Sequence, residues 1–396
     1  MRINKIALRK ILNSGGKIAL ESEVTINNIF VGIGSSPSAV IPGNREKPTT
    51  LIQNNLIYKL DENTKNILNI ILAKNDITQK WLDGILQENI INLGSDFTLA
   101  VSLAFARANA NFKNTELINY IENEANIKSF FKAPFPLATI FSGGIHDNVN
   151  NDSFQNIMIV ANTNDFFEAS EIILTVYNEV EKYLNENRKI ASLGNSSGFI
   201  VKELGLQQQF EIIINVVEKY GLQKKISLAI DVAAEHLFQE NTYIFHNKKY
   251  FPTEFYDLLN NYNKKYNINF IEDPFDTNDI TNWKKLKANN ESLIIVADDL
   301  FATQSEFIDN RLANAMLIKM NQAGTLTKTL ETVRSAKNNG LKTCVSHRSY
   351  ETEDTFMCDL AVAINSDYIK IGGPKRGDRI SKYNRLLRLI DRKMNS

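Results

Sequence analysis

From Asn4 to about Phe30 apolar and polar residues alternate with a period of two, and Asn13-Ser14-Gly15-Gly16 interrupts the alternation. That pattern predicts two strands joined by a turn. Ser35-Ser36-Pro37-Ser38 and Pro42-Gly43-Asn44 then break all regularity, so residues 32–50 read as a long, mobile loop. Loops of that length inside a compact domain are functional or disordered. From Leu56 to Asn111 the apolar positions recur at helical spacing, with Gly94-Ser95-Asp96 dividing two helices. The first part is therefore expected to be a small α+β domain over 1–131. The run Phe131-Lys132-Ala133-Pro134-Phe135-Pro136 leads into a second domain over 132–396.

That second part repeats one pattern. Short apolar, β-branched runs alternate with helical stretches at Ser227–Val232, Ile268–Ile271, Leu293–Ala297, Ala315–Ile318, Thr343–Ser346 and Tyr368–Ile371. Strands alternating with helices imply parallel βαβ units. With further strand-like sequence at Ala138–Ser142 and Asn156–Val160, there are enough units to close a (β/α)8-type barrel.

Composition narrows the function classes. A chain of 396 residues exceeds what one hydrophobic core organises, which agrees with two domains. Lys+Arg and Asp+Glu number 45 each, so no net field steers the chain toward nucleic acid or an anionic membrane. The N-terminus has no signal-peptide core, and no run of about 18 apolar residues suits a membrane span. Cys344 and Cys358 form neither a disulfide framework nor a metal-binding pair and read as small core residues of a cytoplasmic protein.

Each of the six runs from Ser227 onward ends in a chargeable residue: Asp231, Glu272-Asp273, Asp298-Asp299, Lys319, His347-Arg348 and Lys370. In a parallel barrel those ends converge on one rim, where barrel active sites lie. A single carboxylate there reads equally well as the cap of the next helix. A succession of them followed by two lysines does not. Three carboxylates with open positions suit Mg²⁺, whereas zinc would call for His or Cys ligands that are absent. A lysine beside bound metal has its pKa lowered, as a general base needs. The combination suggests proton abstraction next to a carboxylate, the known chemistry of the enolase superfamily.

The residues around these ends resemble enolase (phosphopyruvate hydratase) along nearly the whole chain. The likeness is carried by Ile230-Asp231-Val232-Ala233-Ala234, Ile271-Glu272-Asp273-Pro274-Phe275, Val296-Ala297-Asp298-Asp299-Leu300 and Leu317-Ile318-Lys319-Met320-Asn321-Gln322. Ser346-His347-Arg348-Ser349, Glu351-Thr352-Glu353-Asp354-Thr355-Phe356 and Ile369-Lys370 continue it, with weaker echoes at Ile11–Ser14 and Thr98–Ser102. The resemblance implies that Asp231, Glu272 and Asp298 hold a first Mg²⁺ and that Ser38 meets a second. It implies Lys319 as the base, Lys370 on the substrate carboxylate, Arg348 and Ser349 on a phosphate, and His146, Gln155 and His347 lining the site. The substrate would be a small phosphorylated carboxylate and the assembly a homodimer. His236 and His246 match no functional position and are expected to be structural or exposed.

The departures are specific. The family's Gln-Glu-Phe-Met-Ile reads Gln155-Asn156-Ile157-Met158-Ile159, and its Gly-Asp-Glu-Gly-Gly-Phe reads Gly194-Asn195-Ser196-Ser197-Gly198-Phe199. Both acid-side glutamates are therefore missing, and a lost general acid costs on the order of 10²–10⁴ in rate. The mobile Ser-Gly-Ala-Ser-Thr-Gly loop reads Ser35-Ser36-Pro37-Ser38-Ala39-Val40. Proline and the lost glycines should alter its closure. Tyr350 replaces a glycine and is expected to bring a ring near the phosphate position. The implied activity is an enolase-type lyase acting on 2-phosphoglycerate or a close phosphorylated or phosphonylated analogue. The alternatives are isomerase or proton-exchange chemistry, or a non-catalytic binding protein.

Overall fold

The structure, a computed structural model, describes residues 1–39, 43–49, 60–128, 130, 132–144 and 153–394. At the N-terminus β1 (Ile3–Leu12), β2 (Ile18–Ile26) and β3 (Phe30–Ser36) form an antiparallel sheet. The predicted turn closes on Asn13, whose Oδ1 accepts the backbone N–H of Gly15 and of Lys17 at 3.0 Å each. The third strand corrects the expected start of the long loop. Gly32 and Gly34 read as loop residues, but each lies where strand meets helix. A Cβ on Gly32 would come within 2.1 Å of the Ala104 carbonyl, and one on Gly34 within 2.6 Å of the Ala100 carbonyl.

That helix, Ser95–Phe112, is buried almost all round. Phe97, Ala100, Val101, Ala104, Phe105 and Ala108 pack into the N-terminal core with Ile3, Leu20, Val24 and Ile71. Leu99, Leu103, Ala106 and Ala110 face the other way, into the core that surrounds the barrel. The helical stretch before it is more divided than the periodicity suggests. Asp61 and Thr78 each cap a separate helix, at Glu62–Ala73 and Gln79–Glu88, by accepting the N–H of Thr64 and of Trp81.

The barrel comprises β4 (Phe135–Ser142), β5 (Asn156–Ala161), β6 (Ile226–Asp231), β7 (Ile268–Glu272), β8 (Ile294–Ala297), β9 (Ala315–Ile318), β10 (Lys342–Ser346) and β11 (Tyr368–Lys370). Neighbours pair in that order, and β11 pairs with β4 to close the ring. Every strand foreseen from the sequence is present. One runs the other way: β5 is antiparallel to both β4 and β6.

The period-two alternation of a strand decides which side chains reach the rim from inside. Met158, Ala229, Phe270, Val296 and Leu317 fill the barrel interior, and Tyr368 packs against them. Two positions from each, on the same face, lie Asn156, Asp231, Glu272, Asp298, Lys319 and Lys370. Asn156 joins this set only because β5 is reversed, so that its first residue, not its last, stands in register with Asp231. Cys344 lies inside the barrel and Cys358 in the helix Phe356–Ala363, both buried and free. Among the described residues no helix is long and apolar enough to cross a membrane.

One carboxylate joins the two cores. Asp354 receives Arg107 Nη2 on Oδ1 at 2.6 Å and Nη1 on Oδ2 at 2.8 Å, while the backbone N–H of Ser35 and of Phe356 complete its shell. β3, the bridging helix and the loop after β10 are thereby tied to one side chain.

Candidate active site

The rim side chains are paired with each other. Lys370 Nζ lies 2.8 Å from Asp231 Oδ2 and 2.8 and 2.7 Å from the two oxygens of Glu272, and all three groups are buried. Burial alone would lower the lysine pKa, but Asp231 and Glu272 outweigh it and hold the ammonium charged. Two carboxylates against one ammonium do not both ionise freely: burial, and then the charge of Asp231, push the Glu272 pKa up to about 8. Asp231 Oδ2 accepts two more hydrogen bonds, from Gln155 Nε2 and Asn156 Nδ2 at 3.1 Å each.

On the next strands Lys319 Nζ is ion-paired with Asp298 Oδ2, while Gln322 Nε2 donates to Asp298 Oδ1 at 3.2 Å. Burial pulls the Lys319 pKa down, yet Asp298 more than offsets it, and the lysine is held above its ordinary range. The lowering anticipated from the sequence requires a cation to take up the Asp298 charge. Asp298 is itself shifted down: burial raises its pKa, and Lys319 reverses that.

Oxygens of Asp273, Asp298 and Asp299 lie within 4.8 Å of one another, the one such acidic group among the described residues. Asp273 belongs to that group as a brace. Its two oxygens accept the backbone N–H of Asp298 at 2.9 Å and of Asp299 at 3.0 Å, which turns the loop after β8 into the rim. Asp231 and Glu272 end two successive strands, Asp298 follows the next, and among the described residues none of the three carboxylates accepts a backbone N–H; Asp299 stands beside Asp298 in the acidic group. As a hard-oxygen donor set already holding ammonium groups, they fit a divalent cation such as Mg²⁺.

His347 and Arg348 follow β10. Burial first, and then the charge of Arg379, push the His347 pKa well below its usual value, so the ring is neutral; its buried Nδ1 has no hydrogen-bond partner among the described residues. Gly372, at φ 94°, makes room for it: a Cβ there would sit 3.0 Å from His347 Cε1 and 2.6 Å from the Ser196 carbonyl. Arg348 Nη2 reaches both oxygens of Glu46, at 2.7 and 2.9 Å. The carbonyls of Arg348 and Ser349 accept Arg379 Nη2 at 3.0 and 3.1 Å.

Lys370, Asp231, Lys319, the three aspartates Asp273, Asp298 and Asp299, His347, Arg348 and Glu46 line one small cavity of about 40 Å³, together with Ser349, Gln155, Asn156 and Ser196, whereas Glu272 is not on its wall. Two expectations are corrected there. Tyr350 does not reach the cavity: its ring covers Gly15, where a Cβ would come within 2.3 Å of it, and the Lys17 ammonium sits 4.8 Å above the ring. His236, expected to be structural or exposed, is on the cavity wall, carried there by the 3-10 turn Ala234–Leu237 that follows β6. Ser38 pairs by backbone with Tyr350, and its hydroxyl accepts from Asn13 Nδ2 at 3.2 Å; it does not line the cavity, though its neighbour Ala39 does. His146 lies outside the described residues.

Glu46, Gln322 and Thr303 were not singled out by sequence reasoning. Thr303 Oγ1 donates to Gln322 Oε1 at 2.7 Å and accepts the N–H of Lys319 at 2.9 Å. Gln322 was legible only as part of the run that begins at Lys319. Glu46 had no signal beyond being an acidic residue in a long loop.

Residues 131–396 match the family model described as the C-terminal TIM barrel domain of enolase. The chain is 36% identical over 405 residues to the enolase of Ehrlichia canis, covering 97% of this chain and 95% of that protein. It is 34% identical to the enolase of Pelagibacter ubique, over 98% of this chain and 96% of that one. Against the enolase of Ehrlichia ruminantium the identity is 33%, over 100% and 97% respectively.

Proposed function

The chain belongs to the enolase family, and from that membership we propose that it is a Mg²⁺-dependent carbon–oxygen lyase acting on 2-phosphoglycerate or a close phosphorylated or phosphonylated analogue. One observation carries the reading. The Lys370 ammonium lies in a cradle of two buried carboxylates, with Asp298 and Lys319 on the strands beyond, so the rim is built to hold cations beside a lysine base. Asp231, Glu272 and Asp298 are the ligands for Mg²⁺, which when bound supplies a Lewis acid for the substrate carboxylate. Lys319 takes the α-proton, and Lys370, once released from its carboxylates, pairs with the substrate carboxylate. Arg348 and Ser349 hold the phosphate. Neutral His347 lines the same wall without adding charge. The exposed apolar side chains of Leu12, Val31 and Ile33 support a homodimer, and the family supports a cytoplasmic enzyme.

A second reading has its own support. Where the family has two glutamates, Asn156 donates to Asp231 and Ser196 lies against Gly373, its carbonyl accepting that N–H at 2.8 Å. Neither side chain can hand a proton to a departing hydroxide as a carboxylic acid does. That favours α-proton abstraction without dehydration, either exchange or isomerisation, or a substrate whose leaving group needs no proton. NMR of the protein with Mg²⁺ and 2-phosphoglycerate in D₂O separates the readings. Phosphoenolpyruvate formation supports the lyase, and α-deuteration alone supports the second reading. Neither signal, with no Mg²⁺ bound by calorimetry, sinks both and leaves a non-catalytic binding protein.

A further inference from the structure

Glu46 is a carboxylate that the N-terminal loop brings into this site, and what it touches gives it a role. Its side chain is 8% exposed, and the Arg348 side chain that it holds is 4% exposed. Arg348 Nη2 makes both bonds to Glu46, at 2.7 and 2.9 Å, whereas Nη1 is buried and has no hydrogen-bond partner among the described residues. The backbone of Arg348 is fixed independently, by its N–H on Glu351 Oε1 at 2.8 Å and by Arg379 on its carbonyl. Glu46 Oε1 also accepts from Gln322 Nε2 at 3.2 Å, and the same nitrogen reaches Asp298 Oδ1 at 3.2 Å. The carboxylate thus ties the guanidinium to the residue that steadies Asp298.

We propose that Glu46 is a positioning residue for the anion site. It grips the guanidinium by one nitrogen and turns the other, Nη1, toward the place of the substrate's phosphate. The inference rests on reading Arg348 as the phosphate ligand. A planar guanidinium carries five donors in a fixed fork, so anchoring one edge sets the direction of the rest. An arginine held in advance loses no rotamer freedom when the anion arrives. The opposing effect is repulsion, because a carboxylate beside the arginine cancels part of its charge. Since Nη1 is left unused by Glu46, orientation outweighs repulsion, and the two contributions are separable by substitution.

The experiment is calorimetric titration of the full chain with inorganic phosphate in the presence of Mg²⁺, on wild type, Arg348→Ala, Glu46→Ala and Glu46→Gln, with unfolding temperatures measured alongside. Glutamine keeps an oxygen for Nη2 and removes the charge, so Glu46→Gln should bind phosphate at least as tightly as wild type. Glu46→Ala should bind about tenfold more weakly, the scale of one charge-assisted hydrogen bond. With 2-phosphoglycerate, Glu46→Ala should raise KM by about tenfold while kcat changes by less than about threefold, the split expected for lost uniform binding. If Glu46→Ala does not fold, Glu46→Asp, which withdraws the carboxylate by one methylene, should weaken phosphate binding in the same direction. Tighter or unchanged phosphate binding by Glu46→Ala, beside binding that Arg348→Ala abolishes, overturns this assignment alone. Wild-type protein that takes up no phosphate, or takes it up equally after Arg348→Ala, overturns the reading of Arg348 and this assignment together.

Discussion

Lys370 Nζ sits 2.8 and 2.7 Å from the two carboxylate oxygens of Glu272, so the lysine assigned to the substrate fills the space between two of the residues assigned to the metal. Removing one partner of a buried ion pair leaves an uncompensated charge, at a cost of about 3–5 kcal/mol. Lys370→Ala should therefore unfold at a markedly lower temperature than wild type in the absence of Mg²⁺. Added Mg²⁺ should recover more of that loss in the variant than it adds to wild type, since no ammonium has to leave. Equal Mg²⁺-induced shifts in the two proteins, measured by thermal unfolding, would separate Lys370 from the metal ligands.

Asp298 stands between both functions, as a proposed ligand and as the partner of Lys319. Asp298→Ala should abolish Mg²⁺ binding in a calorimetric titration. Lys319→Ala should keep the fold and lose α-proton exchange in D₂O. Exchange at the wild-type rate without Lys319 would remove it as the base.

Much of this was legible in the sequence because a strand has a period of two. An apolar residue in the barrel interior, such as Phe270 or Val296, fixes the direction of the residue two places on, Glu272 or Asp298. What was not legible depends on direction and distance. Asn156 reads as the start of a strand, and only the reversal of β5 makes that start a rim position beside Asp231. Gly32 and Gly34 read as loop because the helix they press against is distant in sequence. Tyr350 has no local signal for which way its ring turns; the gap left by Gly15 decides it. Glu46 and His236 sit on segments without periodicity, where nothing in the chain reports a neighbour.

The joint at Asp354 predicts an acid limit. Burial works to raise its pKa, but the paired guanidinium of Arg107 and two backbone N–H donors bring it down to about 2. A carboxyl whose folded pKa lies below its unfolded value of about 3.9 contributes stability that is complete above that value and is lost as pH falls toward 2. A depression of that size corresponds to about 2–3 kcal/mol. Asp354→Asn should lower stability near neutral pH by at least that much, because Arg107 is left unpaired. The difference from wild type should narrow from about pH 4 downward. Urea unfolding of both proteins between pH 7 and pH 3 measures it, and a constant gap would mean that Asp354 titrates normally.

The acid side gives the sharpest test of what the site has lost. Asn156 Nδ2 now donates to Asp231 Oδ2 at 3.1 Å, so the amide supports a metal ligand that a glutamate in its place would repel. Asn156→Glu alone should weaken Mg²⁺ binding, because two carboxylates in contact cannot both stay ionised without a cation between them. The same repulsion would raise the pKa of the new carboxyl and keep it protonated, which is the state a general acid needs. Ser196→Glu adds a second carboxyl on the same wall of the cavity. Together the two changes should increase phosphoenolpyruvate formation from 2-phosphoglycerate by on the order of 10²-fold or more, if loss of the acid is the main deficit. The coupled rise should exceed the sum of the single variants, as for groups acting as a unit. A double variant that binds Mg²⁺ and exchanges the α-proton but makes no more phosphoenolpyruvate than wild type would assign the deficit elsewhere. The substrate itself would then differ from 2-phosphoglycerate, and the neutral wall of Asn156 and Ser196 would be fitted to that substrate rather than stripped of a function.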